Sequence, residues 1–181
     1  EQFVQDRWLE IVVDPILDEE GAFRGAVHIV SDITERKQTE EELGRIFEMS
    51  LDMICVADIN TATFLKVNPA FTETLGYSEE ELLSRPFLEF VHPEDREPTV
   101  SVVAEKLRQG EKAINFVNRY RTRDGRYRWL SWVSHPVPEQ GITYAVAHDI
   151  TEQKQAEEAL QQSEERYRSL VENTMDGYFI C

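Results

Sequence analysis

Apolar and polar positions change period several times along this chain. Met53 to Ala57 is a short apolar run closed by Asp58-Ile59-Asn60, which predicts a strand and a turn. A second strand is expected over Thr61–Val67, broken by Asn68 and Pro69. "AFTETLGY" then reads as a short helix. Ser78 followed by Glu81 has capping-box spacing, in which each side chain bonds the other residue's backbone N–H. His92-Pro93 marks another helix start; Val102, Val103 and Leu107 give that helix an apolar stripe, and Gly110 ends it. From Ala113 the period becomes two. "AINFVNRYRT", "YRWLSWVSHPV" and "ITYAVAHDI" are three strands, joined by turns at "RDGR" and "PEQG". Asp149 or Thr151 then caps an acidic helix. Two strands, several short helices, three strands and an exit helix make an α+β unit: a five-stranded antiparallel sheet with helices on one face, flanked by linker helices.

The last junction is written twice. "DITEQKQAEEAL" at Asp149 matches "DITERKQTEEEL" at Asp32 in nine of twelve positions. "RWLEIVVDPI" at Arg7 resembles "RWLSWVSHPV" at Arg128, and "SLDMICV" at Ser50 resembles "TMDGYFI" at Thr174. Asp32 and Asp149 stand 117 positions apart, Asp52 and Asp176 stand 124 apart, and the difference of 7 is one heptad. Adding a heptad to a coiled-coil helix keeps the same face toward its partner. A seam of that kind is expected at Ala156, Leu160, Ser163, Tyr167 and Leu170, with Thr39, Leu43 and Ile46 in the same phase of the first helix. The expected organisation is the tail of one repeat over 1–34, a linker helix over 35–44, a complete repeat over 45–151, a second linker helix over 152–170 and the start of a third repeat over 171–181. The chain starts mid-pattern without Met, which reads as an excerpt of a longer protein.

Charge and composition exclude several functions. A formal charge of −16 lacks the basic footprint that nucleic acid or an anionic membrane surface requires. No apolar run approaches the roughly eighteen residues of a membrane span, and no signal peptide is visible. Cys55 and Cys181 form neither a disulfide framework nor a CxxC pair, which fits a reducing, cytoplasmic setting. The four histidines have no zinc-site spacing. There is no nucleophile–base pair, paired-carboxylate motif or Gly-rich phosphate loop, so no catalytic role is expected.

The element order and four motifs resemble a Per-Arnt-Sim (PAS) domain with its PAC motif. The motifs are "VNPAFTETLGYSEEELLSR" (Val67–Arg85), "VHPEDR" (Val91–Arg96), "NRYRTRDGRYRW" (Asn118–Trp129) and the box Asp149-Ile150-Thr151. Val117 departs from the Glu often found before the Tyr/Arg run. The resemblance implies a piece of a tandem-PAS bacterial sensor, of the histidine kinase or diguanylate cyclase type, used in two-component and related signal transduction. It implies that Asp149 and Thr151, with Asp32 and Thr34 in the first copy, relay a change in the sheet to the exit helix. It places a ligand pocket between sheet and helices, with Cys55, Phe71, Phe87, Phe116, Asn118, Tyr120, Leu130, Trp132, Ala145 and Ala147 as candidate lining. Cofactor identity stays open. Pro86, Phe87 and Leu88 stand where light-oxygen-voltage domains carry Asn-Cys-Arg, which argues against a photoreactive flavin. No His occurs from Glu97 to Gln109, which argues against the haem ligation of oxygen-sensing relatives, and neither FAD nor haem is favoured. The opposite sheet face should present Ile54, Val56, Trp129, Val133, Tyr144 and Val146. That face and the linker helices imply a homodimer, with neighbouring PAS and output domains of the parent chain as further partners and no nucleic acid or direct membrane contact. Two functions follow: a non-catalytic sensor of a small molecule or redox state, or a ligandless dimerisation and spacer module.

Overall fold

The computed structural model describes residues 2–4 and 6–176; the side chains of Gln2, Val4 and 170–176 lie outside that description. The chain divides into two compact units, 1–49 and 50–181.

In the first unit, β1 (Gln2–Val4), β2 (Arg7–Leu17) and β3 (Phe23–Asp32) form an antiparallel sheet in that order, followed by α1 (Thr34–Met49). The repeat tail expected over 1–34 thus holds three strands rather than the last two of a PAS sheet. Strand β1 is a three-residue strand folded back on β2, pairing Gln2 with Leu9 and Val4 with Arg7. Helix α1 runs to Met49, beyond the 35–44 expected, because nothing between Gly44 and Met49 breaks it. The β2–β3 turn is organised by Asp18, whose carboxylate accepts from the backbone N–H groups of Glu20 and Ala22 and from Arg24 Nε at 2.8–3.1 Å.

The second unit holds β4 (Met53–Asp58), β5 (Thr63–Val67), α2 (Pro69–Leu75), α3 (Glu79–Leu83), α4 (Arg96–Glu105), β6 (Ala113–Arg121), β7 (Tyr127–Val137), β8 (Ile142–Asp149) and α5 (Thr151–Asp176). The strand order is β5-β4-β8-β7-β6, all antiparallel. Strand alternation sends Met53, Cys55 and Ala57 of β4, Thr143, Ala145 and Ala147 of β8, and Leu130, Trp132 and Ser134 of β7 to the covered face. The core forms where Phe71, Leu75, Leu82 and Phe90 from the helical side meet Met53 and Leu130, all fully buried. The other face carries a cross-strand row, Ile114–Val133–Val146–Ile54, that stays partly open to solvent. His148 lies on that open face and contacts Asp52 at 2.6 Å.

Local chemistry sets the details. Ser78 and Glu81 make the capping box in both directions. The "RDGR" turn is longer than the tight hairpin expected. Only Gly125 takes a positive φ (87°), its N–H bonds the Thr122 carbonyl, and Thr122 N–H closes the loop on Arg126. Strict alternation from Ala113 would turn Asn118 outward. A bulge at Asn115 (φ 55°) between Ile114 and Phe116 shifts the phase, so that Ala113, Asn118 and Tyr120 are all buried. Helix α5 continues through Asp176, so the linker helix expected over 152–170 and the first part of the third repeat expected over 171–181 are one element; 177–181, where that repeat's first strand would begin, lie outside the described residues.

Two side chains tie elements together. Buried Asn68 accepts from Ile54 N–H at 2.9 Å and donates to the carbonyl of Asp52 at 2.9 Å, fixing the start of β4 against the β5–α2 corner. Asn68→Ala leaves these groups without partners and is expected to destabilise the chain by about 2 kcal/mol in urea unfolding. Arg119 of β6 binds Asp95, at the start of α4, through its backbone N–H and two guanidinium contacts at 2.7–2.9 Å, and also reaches Glu94. The Arg119 side chain holds the Asp95 carboxyl below the usual carboxylate range. A depressed folded-state pKa stabilises above the unfolded value and is lost as pH falls through the folded one. Stability is therefore expected to fall on acidification below about pH 4, and Asp95→Asn should flatten that slope in pH-dependent unfolding.

Candidate functional site: an internal cavity and the exit junction

The sheet floor is small where α4 crosses it. One cross-strand row runs Cys55–Ala145–Ser134, and Ala57 pairs with Thr143 beside it. Short side chains there cannot reach the helices, and a cavity of about 60 Å³ remains, walled by Phe64, Phe87, Phe116 and Trp132 and by Val102, Val103 and Leu107. Seven of the ten candidate pocket residues line it: Cys55, Phe87, Phe116, Asn118, Tyr120, Trp132 and Ala145. Phe71, Leu130 and Ala147 do not. They sit in the solid core next to it, each fully buried, with the Phe71 ring 6.2 Å from that of Trp132. Strand alternation turns Leu130 and Ala147 inward, and the family resemblance does the same for Phe71 of α2, but neither separates packed inward positions from those facing a gap.

A polar chain runs from the surface to this cavity. Asp95, held by Arg119, accepts at its carbonyl from the Thr99 hydroxyl (2.7 Å); Thr99 accepts from the Asn118 amide (3.1 Å); Asn118 accepts from Trp132 Nε1 (2.8 Å). Sequence reasoning found Asn118 and Trp132 but missed Thr99, although a Thr one turn into a helix that starts at "HPEDR" was a usable signal. The indole is thereby held in one orientation. The hydroxyls of Tyr120 and Ser134, residues only 3% and 7% exposed, have no hydrogen-bond partner among the described residues. Burial pushes the Cys55 thiol up to about 12, so it stays protonated and poorly nucleophilic at neutral pH. Burial, with Cys55 nearby, also raises the Tyr120 phenol. His92, at the helix start, accepts from Glu94 N–H and packs its ring 4.5 Å from that of Tyr127, and it is not part of the cavity lining.

The second constellation is at the far end of the same strands. Thr151 Oγ1 accepts from Trp129 N–H at 2.9 Å and donates to the Asp149 carboxylate. Asp149 also accepts from Thr151 N–H at 2.9 Å, and Arg128 lies 3.4 Å from its other oxygen. In the first unit Thr34 accepts from Trp8 N–H at 2.9 Å, Asp32 accepts from Thr34 N–H at 3.0 Å, and Arg7 is 3.4 Å from Asp32. Even the backbone bonds agree: Ile33 N–H to Trp8 and Ile150 N–H to Trp129, each at 2.8 Å. The repeated letters thus build the same contacts twice.

Residues 64–147 match the family model described as PAS fold. The crystal structure of the PAS domain of the HTR-like protein from Haloarcula marismortui is similar at a TM-score of 0.55 and 29% identity, over 64% of this chain and 95% of that one. The five-stranded unit is a PAS domain. The sensor histidine kinase TmoS of Ectopseudomonas mendocina is 27% identical over 138 residues, 74% of this chain and 14% of that protein. The probable diguanylate cyclase DgcE of Escherichia coli K12 is 34% identical over 139 residues, 73% of this chain and 12% of that protein. The chain spans only about an eighth of the length of these curated relatives.

A PAS domain is a non-catalytic sensory fold, and its relatives here belong to signal-transduction proteins. Among the described residues no helix is long and apolar enough to cross a membrane, and no cluster of His, Cys, Asp and Glu could hold a metal ion. On the PAS exit helix, Ala156, Leu160, Ser163 and Tyr167 are all exposed, as are Thr39, Leu43 and Ile46 on α1; the Leu170 side chain lies outside the described set. The Thr151 clasp is directly measurable. Thr151→Val keeps the shape but loses both hydroxyl contacts, and is expected to speed amide exchange at Trp129 by about tenfold, with Thr151→Ser restoring it.

Proposed function

We propose that this chain is a sensory relay piece of a larger signal-transduction protein of the sensor kinase or diguanylate cyclase type. Its PAS cavity reads a small molecule, and the Asp149–Thr151 junction passes the change to α5. One observation carries the reading: β7 and β8 supply the cavity's Trp132, Ser134, Thr143 and Ala145, and a few residues on the same two strands hold the helix through Trp129 and Asp149. A change in the cavity therefore acts on the strands that orient the helix. Redox sensing through Cys55 finds less support, because its thiol is buried and protonated. The duplicated clasp supports a tandem arrangement, with 1–34 as the end of a preceding PAS domain. The exposed seam residues and the open sheet face support homodimerisation, and the parent is read as working in the cytoplasm.

A second reading has its own observation. Phe64 packs against Phe71 and Phe87 with ring centroids 5.2 and 5.7 Å apart, and Trp132 against Tyr120 at 5.4 Å, so most of the inward face is filled. That favours a ligandless dimerisation and spacer module. Ala145→Phe in the parent protein separates the two: a folded variant with altered output is expected for a sensor, and unchanged output would leave the spacer. The relay is tested by deletions within Gln155–Arg166. Loss of four residues is expected to uncouple output and loss of seven to preserve it, and equal activity of both would refute a phase-sensitive helix.

A further inference from the structure

The cavity specifies the chemistry of what it takes. No charged side chain lines it, so an ion entering it would lose hydration with nothing to replace it. The amide of Asn118 and the indole N–H of Trp132 are bonded to each other and to Thr99, so they recognise little themselves. The Thr143 hydroxyl, also on the lining, donates to the Tyr144 carbonyl at 3.5 Å, which leaves the hydroxyls of Tyr120 and Ser134 as those without a partner among the described residues. Tyr120 comes from β6 and Ser134 from β7; both residues are more than nine-tenths buried, and both hydroxyls lack a partner among the described residues. No fully enclosed side-chain polar atom is without a partner, so these two face open space rather than packed atoms, and both residues line the cavity. A hydroxyl that opens onto the cavity with no protein partner is free to bond a guest's oxygen there.

Size limits the guest. A cavity of about 150 Å³ lined by apolar side chains holds benzene; this one is about 60 Å³, so with its side chains as they stand it admits a molecule of roughly two to four non-hydrogen atoms. The remaining wall is aromatic and aliphatic, suited to methyl groups.

We infer that the PAS cavity binds small, uncharged oxygenated organic molecules, short alcohols and carbonyl compounds, with the hydroxyl of Tyr120 or Ser134 bonding the guest's oxygen and the apolar wall covering its carbon. The inference deepens the sensory reading and rests on it. It implies that charged carboxylates of the same size are rejected, and that hydrocarbons the size of benzene do not fit.

Acetone, acetate and benzene are the probes. The purified chain is titrated with each across the millimolar range that ligands of so few atoms reach, while the methyl resonances of Ala57 and Ala145 are followed by NMR. Acetone is expected to shift both saturably and acetate neither. Tyr120→Phe or Ser134→Ala is expected to weaken acetone binding by about fivefold or more. Using both variants guards against one failing to fold. A response that never saturates, meaning that water alone fills the cavity, overturns the inference. So does an equal response to acetate, saturable binding of benzene in preference to acetone, or undiminished acetone binding in both variants. Output of the parent protein with Ala145→Phe keeps the two levels apart. Altered output without acetone binding removes the ligand class and leaves the sensor, whereas acetone binding with unaltered output supports the ligand class and removes the sensor.

Discussion

A single threonine hydroxyl holds the end of the sheet to the start of the exit helix. Thr151 Oγ1 accepts a proton from the backbone of β7 and gives one to Asp149 of β8, while Asp149 takes the N–H of Thr151 itself. Each group serves a need that would otherwise go unmet. The first N–H groups of a helix have no partner within it, and a carboxylate just upstream satisfies one of them and complements the helix dipole. The hydroxyl is needed because it can donate and accept at once, which valine or alanine cannot. With the backbone bond from Ile150 N–H to the Trp129 carbonyl, this clasp ties the first turn of α5 to β7. Thr34 in the first unit makes the same contacts to Trp8 and Asp32, so the requirement is written into the sequence wherever this junction occurs.

The inward face solves two problems in adjacent places. Near α2 and α3 it is packed solid, with Phe71, Leu75, Leu82 and Leu130 reaching across. Under α4 the sheet offers Cys55, Ala57, Ala145, Ser134 and Thr143, and the layers do not fully meet. The stability of the solid part tolerates the gap. The polar chain from Arg119 through Asp95, Thr99 and Asn118 to Trp132 keeps the gap's wall from collapsing into it, since the indole cannot turn without giving up its hydrogen bond.

Much of this was legible in the sequence. Alternation over "YRWLSWVSHPV" and "ITYAVAHDI" gave the inward faces of β7 and β8, and the capping box at Ser78 formed as spelled. What escaped was set by interactions that leave no periodic trace. The bulge at Asn115 is one such feature: the resemblance already placed Phe116, Asn118 and Tyr120 inward, but the kink that puts them there shows only in the pairing of β6 with β7. Strand β1 is too short to signal itself without its neighbour β2. Leu130 and Ala147 share the alternation of the cavity residues yet touch solid core, because what lies opposite them is decided by the path of the helices, Phe71 of α2 among them, and not by their own strands. Thr99 sits on a helix turn where a hydroxyl is unremarkable until Asn118 arrives beneath it.

The length of α5 has a mechanical meaning. Its 26 residues extend about 39 Å from the clasp at about 1.5 Å each. A rotation of about 5° at Thr151 therefore swings the far end by about 3 Å, close to the width of a side chain, although the base has scarcely moved. Geometrically the helix is a long arm hinged at the Asp149–Thr151 junction, and a displacement too small to break any contact in the sheet is, at the other end, large enough to change which atoms can meet.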